Sequence, residues 1–342
     1  MALCDYDRNN RFIKRGADTD SLGKCVGRLI AVMVMVAMAI AQINVDVRLV
    51  TVNFVVDDAS GRPVLNLTQQ DFVVLEDGEQ RDIKAFEPVE SPFNILLLFD
   101  RSASTENQWG FLIEAISRFI KQMPEQHRIA LAAFDDKTEM LLTWRSAGDF
   151  VRQSFSLNDA GGGSNVYKAL EWATQQLKPL KGRKGVIVFT DGVDNRLSKE
   201  LVTFDRNGTP SITPPERDTQ FQKMIRTVRE GSSALIYFVG VNTDLNPDPN
   251  AAPNAFDVAQ HKAARMRMDM VANVSNGVLH LPKKVADVTV LYESIGRELG
   301  QGYSIGFTPK TTLRDGSPHS IQVRPRDTSL RVTAGREGYY AY

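Results

Sequence analysis

Cysteine, histidine and net charge are all scarce in this 342-residue chain, and each shortage excludes a class of protein. The only cysteines, Cys4 and Cys25, lie near the start, so the rest of the chain has no disulfide and no reactive thiol. The four histidines have no metal-binding spacing, which argues against a zinc site. The 41 basic residues balance 41 acidic ones, and this neutrality argues against a nucleic-acid-binding protein.

One uncharged hydrophobic run, from Leu29 to Ala41, has the features of a targeting segment. It has thirteen residues, whereas a membrane-spanning helix needs about 20. Basic residues precede it, and Ala39-Ile40-Ala41 has the small residues of a signal-peptide cleavage site. We therefore predict a cleaved signal peptide over residues 1–41 and an exported protein, either periplasmic or secreted. An uncleaved signal anchor is the alternative.

The two ends of the remaining chain have the alternating pattern of β-strands. In residues 42–90 the apolar positions recur with period two, as from Val50 to Val56, and residues 303–342 repeat this pattern from Tyr303 to Phe307. Neither end has enough strands for a stable sandwich alone. We predict one small β-sandwich-like domain made from both ends. Two separate β extensions are the alternative.

Residues 91–302 have a different pattern, in which apolar strands alternate with amphipathic helices. Phe93–Phe99 is almost continuously apolar, which is typical of a parallel strand that is covered on both faces. The alternation predicts an α/β domain with a doubly wound, mainly parallel sheet of Rossmann-like type. The predicted strands are Phe93–Phe99, Ile129–Phe134, Met140–Trp144, Val186–Phe189, Leu235–Val239 and Val278–Leu281, and the predicted helices are Trp109–Met123, Asn165–Leu177, Phe221–Val228, Ala263–Val274 and Val285–Leu299.

Turn and loop signals complete this outline. Asp77-Gly78 predicts a hairpin between the apolar stretches Phe72–Leu75 and Ile83–Phe86. Two long polar segments, Leu197–Glu216 and Asn242–Asp257, read as loops that follow strands of the central sheet. Loops of this length in a compact domain are usually functional or mobile, so we expect both beside the ligand-binding edge.

Three short polar motifs follow strands or open helices of the α/β region. They are Asp100-Arg101-Ser102-Ala103-Ser104, Gly161-Gly162-Gly163-Ser164 and Thr190-Asp191-Gly192. Carboxyl ends of strands and amino ends of helices share one edge of a doubly wound sheet, so we expect the three motifs to converge there. The predicted metal ligands are the side chains of Asp100, Ser102, Ser104, Ser164 and Asp191.

All five side chains are oxygen donors, which suit a small hard cation. We predict Mg²⁺, with Mn²⁺ or Ca²⁺ as alternatives. The glycines before Ser164 are expected to let the loop approach the ion, and Asn165 is the alternative ligand at this point. A role of the first motif in capping the next helix is the competing interpretation. Three nearby acidic residues are read as turn residues and not as ligands: Asp135, Asp136 and Asp194.

The order D-x-S-x-S, a hydroxyl after glycines, and T-D-G resembles the metal-ion-dependent adhesion site of von Willebrand factor type A (VWA) domains, as in integrin inserted domains. The family usually has Thr where this chain has Ser164. The wider layout resembles the VWFA-related domain family of exported bacterial proteins of acidobacterial type. This second resemblance covers essentially the whole chain after the predicted signal peptide, through Gly61-Arg62-Pro63-Val64, Leu67-Thr68-Gln69-Gln70-Asp71-Phe72, Tyr303-Ser304-Ile305-Gly306-Phe307 and Gly338-Tyr339-Tyr340.

The resemblance implies a role for each ligand. Ser102 and Ser104 would bind the metal directly, Ser164 and Asp191 directly or through water, and Asp100 would hold waters and the serine hydroxyls. Because neutral hydroxyls dominate this set, the cation stays electron-poor and gains by accepting a carboxylate from outside. The expected partner is therefore a protein that offers Asp or Glu.

The leading hypothesis is thus a non-enzymatic, exported binding protein. A metal-dependent hydrolase of phosphate esters is one alternative, but it would need a second carboxylate or metal and a general acid or base. Position 102 is Ser where such an enzyme would need Asp. A VWA scaffold that works without metal is the other alternative. No membrane span is expected after residue 41, and the oligomeric state stays open.

Overall fold

The structure, a computed structural model, describes residues 49–88, 92–105, 109–152, 162–195, 197–240, 255–282, 285–310 and 316–341. The predicted signal peptide, residues 1–41, lies outside the described residues. The strands are β1 (Val50–Asp57), β2 (Phe72–Glu76), β3 (Glu79–Arg81), β4 (Ile83–Glu87), β5 (Phe93–Asp100), β6 (Arg128–Phe134), β7 (Thr138–Ser146), β8 (Arg183–Thr190), β9 (Val202–Phe204), β10 (Pro210–Ile212), β11 (Leu235–Gly240), β12 (Leu279–His280), β13 (Tyr303–Phe307), β14 (Pro318–Pro325), β15 (Arg331–Ala334) and β16 (Gly338–Tyr340). The helices are α1 (Trp109–Gln122), α2 (Ala147–Val151), α3 (Val166–Leu177), α4 (Thr219–Gly231), α5 (Ala255–Val274) and α6 (Val285–Gln301).

The central sheet has the strand order β12-β11-β8-β5-β6-β7. Every neighbouring pair is parallel except β6 and β7, which are antiparallel. The predicted α/β fold with a mainly parallel sheet is therefore confirmed. β5 lies in the middle of the sheet and is buried at every position, as its unbroken apolar sequence predicts.

Helices cover both faces of this sheet, and alternate residues of β5 point to opposite faces. Ile95, Leu97 and Phe99 join one apolar core, to which α1 and α6 contribute residues such as Phe119 and Tyr292. The other face of β5 joins a second core that is built from α3, α4 and α5. The doubly covered sheet fixes the ends of its strands, and the polar motifs lie at one of its edges.

A second, smaller part of the chain contains two four-stranded sheets. Their orders are β15-β1-β13-β4 and β16-β14-β2-β3, so each sheet combines strands from the start and the end of the described chain. Phe54, Phe72 and Tyr303 pack together between the sheets, with ring centroids 5.0 to 5.7 Å apart. The Tyr303 hydroxyl donates to the Val64 carbonyl (2.8 Å) and accepts from the Leu67 amide (3.1 Å). Both sheets share this one apolar core.

Buried polar groups connect the α/β region to these outer sheets. Asn53 of β1 donates to the Tyr237 hydroxyl of β11 (3.4 Å), which in turn donates to Glu298 of α6 (2.6 Å). Arg336 donates to the Thr51 carbonyl (2.7 Å) and to the Asn276 side chain (2.8 Å). Burial raises the pKa of Glu298 to about 7, because the pocket disfavours its charged form.

The predicted hairpin between Phe72–Leu75 and Ile83–Phe86 is wrong. The chain does turn at Asp77-Gly78, but β2 pairs with the short strand β3 that follows the turn. β4 crosses to the other sheet, where Phe86 pairs with Ile305. The turn residues specify a local reversal, whereas the partner of β4 is set by packing with a strand near the other end of the chain.

The predicted loop Leu197–Glu216 contains short regular elements that the sequence did not indicate. It contains one π-helical turn, Leu197–Leu201, and the β9–β10 hairpin. Leu197 and Leu201 pack against Ala259 and Ala263, which belong to α5. α5 begins at Ala255, eight residues before the predicted start, so the end of the second predicted loop is helical. Residues 242–254 of that loop lie outside the described residues.

No helix within the described residues is long and apolar enough to cross a membrane. His127, one of the four scattered histidines, is buried, and its Nδ1 accepts the Phe93 amide (2.9 Å). This contact gives His127 a role in the fold, since it satisfies a backbone amide at the start of β5.

Candidate functional site

Asp100 forms the centre of the site at the carboxyl end of β5. Its side chain is fully buried, and its Oδ1 accepts the Ser102 amide (3.0 Å). The Thr105 hydroxyl donates to the Asp100 carbonyl (2.7 Å) and closes the turn after the strand. α1 is described from Trp109 onward, and residues 106–108 before it lie outside the described residues. The capping interpretation of the first motif therefore stays open beside the metal-site interpretation.

Ser164 reaches Asp100 from the loop before α3. It is buried, and its hydroxyl donates to Asp100 Oδ2 (3.1 Å). The Asn165 amide donates to the Asp135 carbonyl (3.0 Å), which orients the backbone of the loop at this residue. Of the two side chains considered at this point, Ser164 is therefore the one with a direct bond to Asp100.

The third motif begins at Thr190, the last residue of β8, next to β5. The Thr190 hydroxyl donates to Asp100 Oδ2 (2.5 Å) and accepts the Gly192 amide (2.8 Å). Thr190 was quoted in the motif but not predicted as a site residue, although its position before Asp191 was the signal. The buried Asp191 accepts the Val193 amide (2.9 Å) and the Ser104 hydroxyl.

These contacts join all five predicted ligands into one cluster. The hydroxyl oxygens of Ser102 and Ser104 lie 3.1 Å apart, so the first motif connects Asp100 to Asp191. Asp100 and Asp191 are buried, whereas Ser104 is exposed to solvent. The cluster is therefore closed on the side of the sheet and open at Ser104.

The surroundings of Asp100 and Asp191 disfavour the negatively charged forms of both carboxyl groups. Burial raises the pKa of Asp100, and the nearby charge of Asp191 raises it further. Burial also raises the pKa of Asp191, against the hydrogen bond from Ser104 and the charge of His261, which lower it. A cation placed between the two carboxylates would remove this penalty.

The donor chemistry fits a hard divalent cation. The set contains two carboxylates and three hydroxyls, and oxygen donors of this kind are preferred by Mg²⁺ and Ca²⁺. Within the described ranges, no group of three or more His, Cys, Asp and Glu side chains could hold a metal ion. A metal at this edge would therefore rely on hydroxyls, waters and a group from outside in addition to Asp100 and Asp191.

The neighbouring acidic residues have other contacts. Asp194 accepts the Tyr167 amide (3.4 Å) in the first turn of α3, where a carboxylate is favoured. Asp135 pairs with Arg101 (2.9 Å), which also contacts Glu139, so the exposed side of the first motif is attached to the β6–β7 turn. Asp135 thus lies in a turn, as expected, whereas Asp194 is not an exposed turn residue but is buried beside the start of α3.

Sequence reasoning missed Asn195, which follows the third motif. Its amide oxygen accepts the Ser164 amide (3.0 Å), and its own backbone amide donates to the Ser164 carbonyl (2.8 Å). Its side-chain nitrogen donates to Asp136 (2.9 Å). A lone Asn after T-D-G carries no signal in the sequence, because this role depends on three loops that meet only in the folded chain.

Comparison with known proteins finds one family model that matches part of this chain. The model of the von Willebrand factor type A domain matches residues 95–193, a segment that contains all three motifs. No curated protein sequence matches the chain. Similar solved structures include an aerotolerance-related membrane protein from Bacteroides fragilis NCTC 9343, with 15% identity, 60% of this chain and 98% of that chain covered, and a TM-score of 0.40.

Two further structures have similar scores. One is the pilus adhesin SpaC from Lactobacillus rhamnosus GG in its open conformation, with 12% identity, 79% of this chain and 45% of that chain covered, and a TM-score of 0.45. The other is a von Willebrand factor type A protein from Catenulispora acidiphila, with 13% identity, 79% and 72% coverage, and a TM-score of 0.43. The match over residues 95–193 and the mainly parallel sheet show that the α/β region of this chain is similar to von Willebrand factor type A domains.

Proposed function

We propose that this protein binds a protein partner through a divalent cation held at the carboxyl edge of its central sheet, and that it catalyses no reaction. Mg²⁺ is the proposed cation, and Mn²⁺ or Ca²⁺ could replace it. One observation carries the proposal: two buried carboxylates with raised pKa values and three hydroxyls meet at one point. Burial of two like charges is unfavourable unless a positive charge joins them.

Each of the five donor residues would have its own role at this site. Ser102 and Ser104 would hold the cation directly, with Ser164 and Asp191 beside them, and Asp100 would orient the hydroxyls through the bonds that it accepts. Hydroxyl ligands are neutral, so the cation would keep much of its charge for a further ligand. Since Ser104 lies on the solvent side, that ligand would come from a partner's Asp or Glu.

We also propose that the protein acts outside the cytoplasm. The support is the basic stretch, the apolar run of residues 29–41 and the small residues before Gln42. Amino-terminal sequencing of the protein from the periplasmic fraction and from the medium tests this point. A mature chain that starts at Gln42 is expected, and an intact amino terminus in the membrane fraction would favour an anchor.

Calorimetric titration with Mg²⁺ and Mn²⁺ tests the metal site. The wild type is expected to bind one ion, and Asp191→Asn is expected to lose this binding because it removes one of the two charges at the site. Asp194→Asn is the matched control, since Asp194 is a buried Asp close in sequence whose carboxylate caps α3. Equal binding by the wild type and Asp191→Asn would refute the proposed site.

Affinity capture from cell-envelope extracts then separates the proposal from its alternatives. Partners retained in Mg²⁺ and lost both in EDTA and with Asp191→Asn would support metal-dependent adhesion. Partners retained in EDTA would favour a scaffold that needs no metal. Turnover of phosphate esters that depends on Asp100 would favour the hydrolase and contradict a purely adhesive role.

A further inference from the structure

We propose that Asn195 and Asp136 form a bridge that positions Ser164 at the metal site, an inference that rests on the proposed function. Asn195 contacts Ser164 through two bonds: its amide oxygen accepts the Ser164 amide (3.0 Å), and its backbone amide donates to the Ser164 carbonyl (2.8 Å). The loop that carries Ser164 is therefore attached to the loop that carries Asp191.

Asp136 supports the other end of the Asn195 side chain. Its Oδ1 accepts the Asn195 side-chain nitrogen (2.9 Å), and its Oδ2 accepts the Gly163 amide (3.4 Å). Asp136 lies in the turn between β6 and β7, so two side chains join three loops at one edge of the sheet. Asp136 was read as a turn residue in the sequence, and the bridge gives that turn a connection to the site.

The two glycines before Ser164 provide an independent observation. A Cβ at position 163 would overlap the Asn195 amide, and a Cβ at position 162 would overlap Asp136 Oδ2. Gly162 also has a φ of +71°, which favours glycine. The expectation from sequence was that these glycines let the backbone approach an ion. In the structure, the space that they leave is filled by Asn195 and Asp136.

Ser164 needs such a bridge more than the two carboxylates do. Asp100 and Asp191 follow buried strands of the central sheet, whereas Ser164 belongs to an irregular stretch between Gly162 and Asn165. A residue that orients a metal ligand from behind changes metal affinity about 10- to 100-fold when it is mutated. Because the contact of Asn195 with Asp136 is exposed, the lower end of that range is expected here.

The variant Asn195→Asp distinguishes a positioning role of Asn195 from a purely electrostatic effect on the cation. The added negative charge would tighten cation binding if electrostatic attraction alone mattered. In the positioning scheme it weakens binding, because two carboxylates would then face each other where Asn195 now donates to Asp136, and the bridge would open. We expect about a tenfold weaker Mn²⁺ affinity, measured by the loss of the free Mn²⁺ signal in electron paramagnetic resonance.

The double variant Asn195→Asp with Asp136→Asn provides the rescue. It exchanges donor and acceptor between the two positions, keeps the net charge, and leaves the side chain at position 136 with an oxygen for the Gly163 amide. Its Mn²⁺ affinity is expected to return to within about threefold of the wild type. Unfolding in EDTA checks that all variants keep the fold.

The outcomes distinguish a failure of the proposed bridge from a failure of the proposed metal site. Tighter or unchanged binding by Asn195→Asp, or no recovery in the double variant, would overturn the bridge while leaving the metal site in place. Failure of the wild type to bind Mn²⁺ would overturn the proposed function and the bridge together.

Discussion

Replacing Asp100 with Asn removes one of the two buried charges at the site and keeps the shape of the side chain. An uncompensated buried charge costs about 3–5 kcal/mol. The bonds that Asp100 accepts from Ser102, Ser164 and Thr190 offset part of this, about 1 kcal/mol each beyond what a neutral amide would receive. Without metal, Asp100→Asn is therefore expected to be up to about 2 kcal/mol more stable than the wild type at neutral pH.

The sign of the effect follows from the raised pKa of Asp100, which burial causes first and Asp191 second. A raised pKa means that the folded chain holds the proton more tightly than the unfolded chain does. The stability of the wild type therefore falls as pH rises from the ordinary pKa of Asp to the raised one, and the variant lacks this loss. The difference between the two proteins should be larger at about pH 8 than at about pH 5.

Metal should reverse the order of stability. A ligand at 100 times its Kd stabilises the folded state by about 2.7 kcal/mol. Only the wild type should gain this amount in Mg²⁺, so it should then exceed Asp100→Asn by about 1–3 kcal/mol. Urea denaturation followed by circular dichroism, in EDTA and in Mg²⁺, measures both differences.

Asp194→Asn is the control for this comparison, and it should keep the stabilisation by Mg²⁺ because the Asp194 carboxylate accepts the Tyr167 amide. An Asp100→Asn protein that is less stable than the wild type in EDTA would show that the carboxylate contributes to the fold without a cation. Equal stabilisation of both proteins by Mg²⁺ would place the metal elsewhere. Either result would refute the reasoning.

Three further predictions concern single positions. Gly163→Ala should displace Asn195, lower Mn²⁺ affinity and destabilise the fold by about 1–3 kcal/mol in urea denaturation. Gly110→Ala is the control, because Gly110 lies in helix α1 with open space around it, and it should be neutral or stabilising by up to about 1 kcal/mol. Glu298→Gln should flatten the pH dependence of stability, because a rise of the pKa from 4.5 to about 7 costs the wild type about 3 kcal/mol between about pH 5 and about pH 8; parallel pH profiles would contradict this. Asp218→Ala should lower the free energy of unfolding by about 3–5 kcal/mol, because it leaves the buried Arg267 without the Asp218 carboxylate and removes the N-cap of α4. A loss below about 1 kcal/mol would show that the ion pair between Arg267 and Asp218 contributes little.

The site could be predicted from the sequence wherever a donor follows a buried strand. β5 and β8 are neighbours, and Phe99 pairs with Phe189, so the residues that follow them come to lie side by side. An apolar run that ends in a polar motif is visible in the sequence, and the topology of a parallel sheet then places the motif at a known edge. Asp100, Asp191 and Thr190 are positioned by this simple rule.

Pairings over long distances in the chain could not be predicted in the same way. The partner of β4 depends on a strand near the other end of the chain, and the local Asp-Gly turn says nothing about it. The start of α5 was missed because its buried face is made of alanines such as Ala259 and Ala263, which give a weak apolar pattern. The hairpin in Leu197–Glu216 has strands of three residues, which are too short for periodicity to identify.

The contrast between strand ends and loops predicts how metal affinity can be tuned. Donors at strand ends are fixed by the register of a buried sheet, so their positions change only if the core changes. Ser164 is fixed by hydrogen bonds that reach the surface at Asp136, and such bonds can be weakened without unfolding the domain. Substitutions at Asp100 and Asp191 should therefore abolish metal binding, whereas substitutions at Asn195 and Asp136 should lower the metal affinity by smaller amounts. The loop before α3, and not the strands, is then the part of this site where affinity can vary while the fold is kept.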